Sequence, residues 1–143
     1  MQIKNQIKIS LQSLSENIGI ARLAAATFSA QANFTLNEVE EIKVAISEAV
    51  SNAVIHAYEK SDEVIELIFN LYVDKVEYII IDHGKGIADI AEARKPSYSS
   101  DPERMGLGFA FMESFMDELQ INSEIGMGTT VRLVKKISNH DIH

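Results

Sequence analysis

Residues 65–73 and 76–81 are two β-rich runs with almost nothing between them. In the first, Ile65, Leu67, Phe69, Leu71 and Val73 alternate with Glu66, Asn70 and Tyr72, the period of two expected of a strand with one buried face. The second, Val76-Glu77-Tyr78-Ile79-Ile80-Ile81, is nearly continuous β-former, as expected of a central strand. Only a tight turn near Asp74-Lys75 is left to join them. Parallel neighbours need a crossover of about a dozen residues or more, so these two strands must pair antiparallel. This is not the alternating β-α-β pattern of a doubly wound dinucleotide fold.

The remaining periodicities build on that hairpin. Ile7, Ile9 and Leu11 alternate with Lys8 and Ser10, predicting an opening strand. Ser13 and Glu16 have capping-box spacing ahead of a helix whose buried stripe is expected at Ile20, Leu23, Ala24, Thr27 and Phe28. A second capping box, Thr35 with Glu38, opens the longest helix. Its apolar positions are Val39, Ile42, Ile46, Ala49, Val50 and Ala53, and it runs to about Tyr58 before Ser61-Asp62 ends it. Residues 94–105, with Pro96, Pro102 and three serines, read as a mobile loop. A helix from about Gly108 to Asp117 and a closing hairpin, residues 119–123 and 129–134 around Gly126 and Gly128, follow. The order predicts an α+β chain, a two-layer α/β sandwich whose mixed, mostly antiparallel sheet carries helices on one face. A single domain over residues 1–137, with residues 138–143 as a frayed tail, accommodates every element.

Composition narrows the function. Thirteen Lys and Arg against 21 Asp and Glu give a net charge of −8, which repels phosphate backbones and argues against direct DNA binding or an anionic membrane partner. The absence of cysteine excludes disulfides and thiolate metal sites and suits a reducing compartment. No apolar run approaches ~18 residues and residues 1–14 hold no signal-peptide core, so the expectation is a soluble cytoplasmic protein.

Three places could carry chemistry. On the long helix Glu48, Asn52 and His56 recur every fourth residue and share one face. Small neighbours at Ser47, Ala49, Ser51 and Ala53 leave room around the first two. A solvated stripe would read the same way, but the surrounding positions are mostly apolar, and a Glu one turn before an Asn sets a base beside a metal-ligand oxygen. Second, Asp82-His83-Gly84-Lys85-Gly86 follows the most apolar strand. It is either a turn that ends the strand or a carboxylate with glycines that admit a ligand to the backbone. Third, Met105-Gly106-Leu107-Gly108-Phe109 sits where a helix is expected to start, and free N–H groups there suit phosphate.

Taken together and in this order, Glu48-x-x-x-Asn52, Asp82-x-Gly84-x-Gly86 and Gly106-x-Gly108 resemble the N, G1 and G2 boxes of the ATPase/kinase superfamily that includes gyrase B, heat-shock protein 90, the histidine kinases and MutL. Gly128-Thr129-Thr130-Val131 resembles the closing strand of that superfamily. The stretch from Ser47 to Tyr58, with Gly108-Phe109 and residues 112–118, is most similar to the anti-sigma factors with serine-kinase activity, the sporulation sigma-F type in particular. No dimerisation helix with a phosphoacceptor His is read ahead of Ser13, which also favours that branch over the histidine kinases. The loop at 94–105 is slightly shorter than the usual lid, and His83 stands where an acidic residue is often found.

The resemblance implies the Bergerat ATP-binding fold, ATP or ADP with Mg²⁺, and phosphoryl transfer to a serine of an anti-anti-sigma factor. It implies Asn52 as the Mg²⁺ ligand and Glu48 as general base. Asp82 would accept from the adenine amine with Thr129 in support, Gly84 and Gly86 would keep the loop against the base, and Gly106 and Gly108 would meet the phosphates. Arg104 is a candidate clamp on the terminal phosphate. The position of Arg22 on the first helix resembles that of an arginine facing both protein partners, a sigma factor and the anti-anti-sigma factor. A homodimer is expected. A stress-response switch kinase of the same superfamily, or a non-catalytic ATP-dependent binding module, would share most of these residues.

Overall fold

The computed structural model describes residues 2–57, 63–84 and 102–138, the side chains of 56–57 and 102–107 excepted. Among the described residues five strands and three α-helices follow the order β1 (Asn5–Gln12), α1 (Glu16–Ser29), α2 (Leu36–Asn52), β2 (Val64–Leu71), β3 (Lys75–Asp82), α3 (Pro102–Phe115), β4 (Glu118–Glu124) and β5 (Gly128–Lys136). The β2–β3 hairpin forms as expected, with Leu71 opposite Val76 and Phe69 opposite Tyr78. The sheet order is β1-β2-β3-β5-β4, and every one of these pairings is antiparallel.

Alternation then divides the two faces. Ile65, Leu67, Phe69 and Leu71 of β2, with Val76, Tyr78 and Ile80 of β3, are buried beneath the helices. Ile42, Ala45, Ile46, Ala49 and Val50 of α2 close over them. α2 lies between α1 and α3. The predicted two-layer sandwich is therefore present.

The opposite face of the sheet is held by polar contacts that cross all five strands. Gln6 Nε2 donates to Asn70 Oδ1, and Asn70 Nδ2 donates to Glu77 Oε1 at 2.9 Å. Arg132 reaches Glu77 through Nε and Glu118 through Nη1. Burial pushes the Glu77 carboxyl up, but hydrogen bonds from Asn70 and Arg132 outweigh it and hold the group below its ordinary range.

Three local expectations need correction. The Ser13–Glu16 capping box does not form: Ser13 is buried, continues the β1–β2 ladder through its N–H to Glu63 O, and leaves Ser15 at the N-cap without a side-chain cap bond. The Thr35–Glu38 box does form. The stripe of α1 is rotated from the expected one. Ala21, Ala25, Phe28 and Ser29 are buried, whereas Ile20 and Leu23 are 53% and 68% exposed. Small side chains let α1 lie close to α2, and the larger ones are turned toward the sheet edge at β1. Finally, α3 begins at Pro102, not near Gly108, so residues 102–105 of the expected loop are helical. Asp101-Pro102-Glu103 has the composition of a helix start, with Pro tolerated in the first turn because it has no N–H to satisfy.

α2 also ends differently. It gives way after Asn52 to a π-helical turn, Ala53–Ala57, and the N–H of Ala53 is shared between the carbonyls of Ala49 and Val50. Tyr58, Ser61, Asp62 and residues 139–143 lie outside the described residues.

The β4–β5 turn contains two glycines at positive φ, and they predict different costs. A Cβ on Gly126 (φ +80°) meets nothing, whereas one on Gly128 (φ +100°) would overlap the carbonyl oxygen of Asp82. Gly126→Ala is expected to lose about 1 kcal/mol to backbone strain. Gly128→Ala is expected to lose about 3 kcal/mol, strain and overlap together. Urea midpoints at constant m-value measure both.

Candidate functional site

Glu48 and Asn52 lie one turn apart on α2, half-buried, and face α3. What meets them there is a glycine. A Cβ on Gly108 would sit 3.0 Å from Glu48 Oε2, 3.5 Å from Asn52 Nδ2 and 3.6 Å from Asn52 Oδ1. The main chain of α3 thus approaches the carboxylate and the amide as closely as a side-chain-free residue allows.

Asn52 Nδ2 is buried and has no hydrogen-bond partner among the described residues. An orphaned buried polar group costs about 1–3 kcal/mol, and a ligand is one way of completing it. Rotating the amide by half a turn would present the oxygen instead, the atom a hard cation takes. His56 follows on the same face by spacing, but its side chain lies outside the described residues.

A second cluster forms where β3 ends. Asp82 is 6% exposed and stands opposite Thr129 in the β3–β5 ladder. Its Oδ1 accepts from the N–H of Gly84 at 3.0 Å. Burial pushes the Asp82 carboxyl up, and the N–H groups of Gly84 and Thr129 together with His83 only partly offset this. Thr129 Oγ1 pairs with Ser123 Oγ at 2.8 Å, and Ser123 also donates to Gly128 O. Asp82, Ser123 and Thr129 line a common hollow of about 250 Å³. His83 lines the hollow too, with Nε2 3.2 Å from Glu66 Oε1.

The expected residues therefore fall into two groups, Glu48–Asn52–Gly108 and Asp82–Gly84–Thr129. Gly106 and Gly108 do not open a helix. With α3 starting at Pro102, the free amides in its first turn are those of residues 103 and 104, and Gly108 contributes close approach to α2 instead. Arg104 lies in the first turn of α3 with its side chain outside the described residues, and Gly86 lies outside them altogether. Arg22 is exposed on α1, its guanidinium lying over Gly19. Ser123 and Gly128 escaped the sequence reading as site residues. Period-two alternation opposite Thr129 was the available signal for Ser123. Among the described residues no group of three or more His, Asp or Glu could hold a metal ion without help from a ligand, and no helix is long and apolar enough to cross a membrane.

Residues 11–135 match the family described as the histidine kinase-like ATPase domain. The chain belongs to that family. It is 45% identical to the anti-sigma F factor of Bacillus subtilis (strain 168) over 95% of both chains. It is 39% identical to the anti-sigma F factor of Caldanaerobacter subterraneus subsp. tengcongensis, covering 98% of this chain and 99% of that one. The fold matches a solved structure of the RsbU and RsbW domains of Rv1364c from Mycobacterium tuberculosis. There the TM-score is 0.67 and the identity 23%, over 94% of this chain and 32% of that one. The histidine kinase domain of the Erythrobacter litoralis EL346 blue-light activated kinase shares it at a TM-score of 0.57 and 18% identity, over 89% of this chain and 62% of that one.

The raised Asp82 carboxyl carries a signed expectation. A carboxylate whose pKa is raised by folding stabilises the folded state fully below its unfolded pKa and loses that contribution as pH rises through the folded one. Wild type should therefore gain stability relative to Asp82→Asn as pH falls from about 7 to about 4. Paired urea melts across that interval measure the difference. A constant difference would mean that Asp82 titrates as it does in the unfolded chain.

Proposed function

We propose that this chain is a cytoplasmic anti-sigma factor of the sigma-F type that uses ATP and Mg²⁺ to phosphorylate a serine of its anti-anti-sigma antagonist. The observation that carries the reading is the contact of Gly108 with both Glu48 and Asn52, beside the orphaned Asn52 amide. No side chain fits at that point, so the main chain of α3 itself faces the carboxylate and the amide. Supporting it are relatives at 39–45% identity over nearly their whole length, each named anti-sigma F factor; they favour this reading over the stress-response switch kinase.

Each residue then has a task. Asp82, buried and only partly offset by its neighbours, accepts from the exocyclic amine of adenine, which rewards an acceptor fixed in place. Thr129, oriented by Ser123, supports the same edge of the base. Gly84 and Gly86 keep the connection after β3 close to the ring. Gly108 keeps α3 free of a side chain where it faces Glu48 and Asn52, Gly106 would offer its backbone to the phosphates, and Arg104 clamps the terminal one. Glu48 takes the proton of the incoming serine hydroxyl as general base.

A single amide oxygen, with no acidic cluster among the described residues, suits a cation brought in by phosphates more than a resident metal. Mg²⁺ held by Asn52 would neutralise charge on the transferring group, the main requirement of phosphoryl transfer.

The protein partners would be approached from α1. Arg22 is an exposed cation on a chain of net charge −8, and the acidic remainder complements a basic sigma-factor surface. A homodimer would form at the β1 edge. The outer side of that strand has no partner strand among the described residues, and Ile7, Ile20, Leu23 and Phe28 line an adjoining apolar groove of about 530 Å³. A second copy pairing strand to strand would cover both.

Two substitutions separate catalysis from binding. Glu48→Gln should leave ATP affinity and sigma binding near wild type and slow single-turnover phosphorylation of the antagonist serine by about 10²-fold or more. Transfer at the wild-type rate would remove the general-base role. Loss of ATP binding in that variant would make Glu48 a metal-site residue instead. Arg22→Glu should weaken sigma-factor or antagonist binding by about tenfold or more with ATP affinity unchanged. Calorimetry against each partner reads it, and undiminished binding to both would remove Arg22 from the partner surface.

A further inference from the structure

Lys135 is a buried cation with no place in the roles above. β5 turns Thr129, Val131, Leu133 and Lys135 toward the helices, and Lys135 is 7% exposed. A charge taken out of water persists only with partners. Its Nζ donates to Glu41 Oε1 at 3.1 Å and to the carbonyl oxygen of Phe115. Glu41 lies on α2, and Phe115 is the last residue of α3. That carbonyl belongs to the helix end whose oxygens lack intrahelical partners and whose dipole attracts a cation.

The position of this clamp along the two helices gives it a consequence. Glu41 lies two turns before Glu48 on α2, and Phe115 lies two turns after Gly108 on α3. The helices therefore run antiparallel, joined by Lys135 at one end and in contact at Gly108 about 10 Å along. Two further bonds tie the end of α3 to β5: Asp117 N–H to Val134 O at 2.8 Å, and Lys136 N–H to Asp117 Oδ2 at 2.6 Å. Lys135 extends that anchorage to α2.

We propose that Lys135 is a positioning residue, whose ammonium bridges Glu41 and the C-terminal carbonyl of α3 and sets the register at which Gly108 meets Glu48 and Asn52. Without it α3 keeps its attachment to β5 and its apolar packing on α2 but loses the polar tie that fixes its register, and the general base loses its fixed distance to the phosphate end of the site. The effect on transfer rests on the kinase reading above; the effect on α3 does not.

Lys135→Met keeps the length of the stem and removes the charge. The test measures amide exchange in the nucleotide-free full chain, together with ATP affinity and single-turnover transfer to the antagonist serine. Amides of residues 110–115 should exchange about tenfold faster while those of β2 and β3 stay at wild-type rates. Transfer should slow about tenfold with ATP affinity within about twofold of wild type. Glu41→Gln should shift both in the same direction by less. It carries the test if the methionine variant does not fold, since Glu41 is the more exposed partner.

Wild-type exchange on α3 in both variants would overturn the proposal. So would equal acceleration in β2 and β3, which would make Lys135 a general stabiliser. A response on α3 with unaltered transfer would also overturn the positioning role. If wild type itself transfers no phosphate while α3 alone loosens, the kinase reading falls and the register clamp stands.

Discussion

The approach of α3 to α2 at Gly108 is the contact on which the site depends. A Cβ there would press on the Glu48 carboxylate at 3.0 Å and crowd the Asn52 amide, so the separation of the two helices is set by the absence of a side chain. Phe109 and Met112 are buried beside it, and their packing holds the glycine in place against α2. The apolar core and the polar site are thus adjoining parts of one helix pair. Displacing α3 would alter both.

Two buried carboxylates on β3 illustrate how the fold separates support from function. Glu77 faces the outer side of the sheet, where Asn70 and Arg132 offset its burial and hold its pKa down. Its charge is matched within the protein, and it ties strands together. Asp82, five residues on, faces the helix side, where burial dominates and its pKa rises. Backbone N–H groups orient it without neutralising it, which leaves it disposed to accept a hydrogen bond from outside. The period of two sends these residues to opposite faces, and the environments do the rest.

Much was legible before any coordinates. The hairpin of β2 and β3 followed from alternation and a gap too short for a crossover. The helix carrying Glu48 and Asn52 followed from its apolar spacing and from the Thr35–Glu38 box. The resemblance carried by the three motifs agreed with the family to which the chain belongs. Misreadings came where several local patterns competed. Ser13 has the spacing of a cap, yet the β1–β2 ladder claimed its backbone first. Ile20 and Leu23 fit a buried stripe, yet small Ala21 and Ala25 pack more closely against α2. The glycines of Gly106-Leu107-Gly108 suggested a helix entry, yet the helix had already begun at Pro102.

What could be read from the chain is what repeats along it: strand and helix periods, turn chemistry, and motif spacing whose local geometry is nearly fixed. Contacts between residues far apart in sequence carry no such period. The meeting of Gly108 with Glu48, the pairing of Asp82 with Thr129 and the bond from Lys135 to Glu41 join elements separated by long stretches of chain. They depend on how the helices lie on the sheet. That arrangement is decided by side-chain volume summed over the whole core, and so it exists only in the folded molecule.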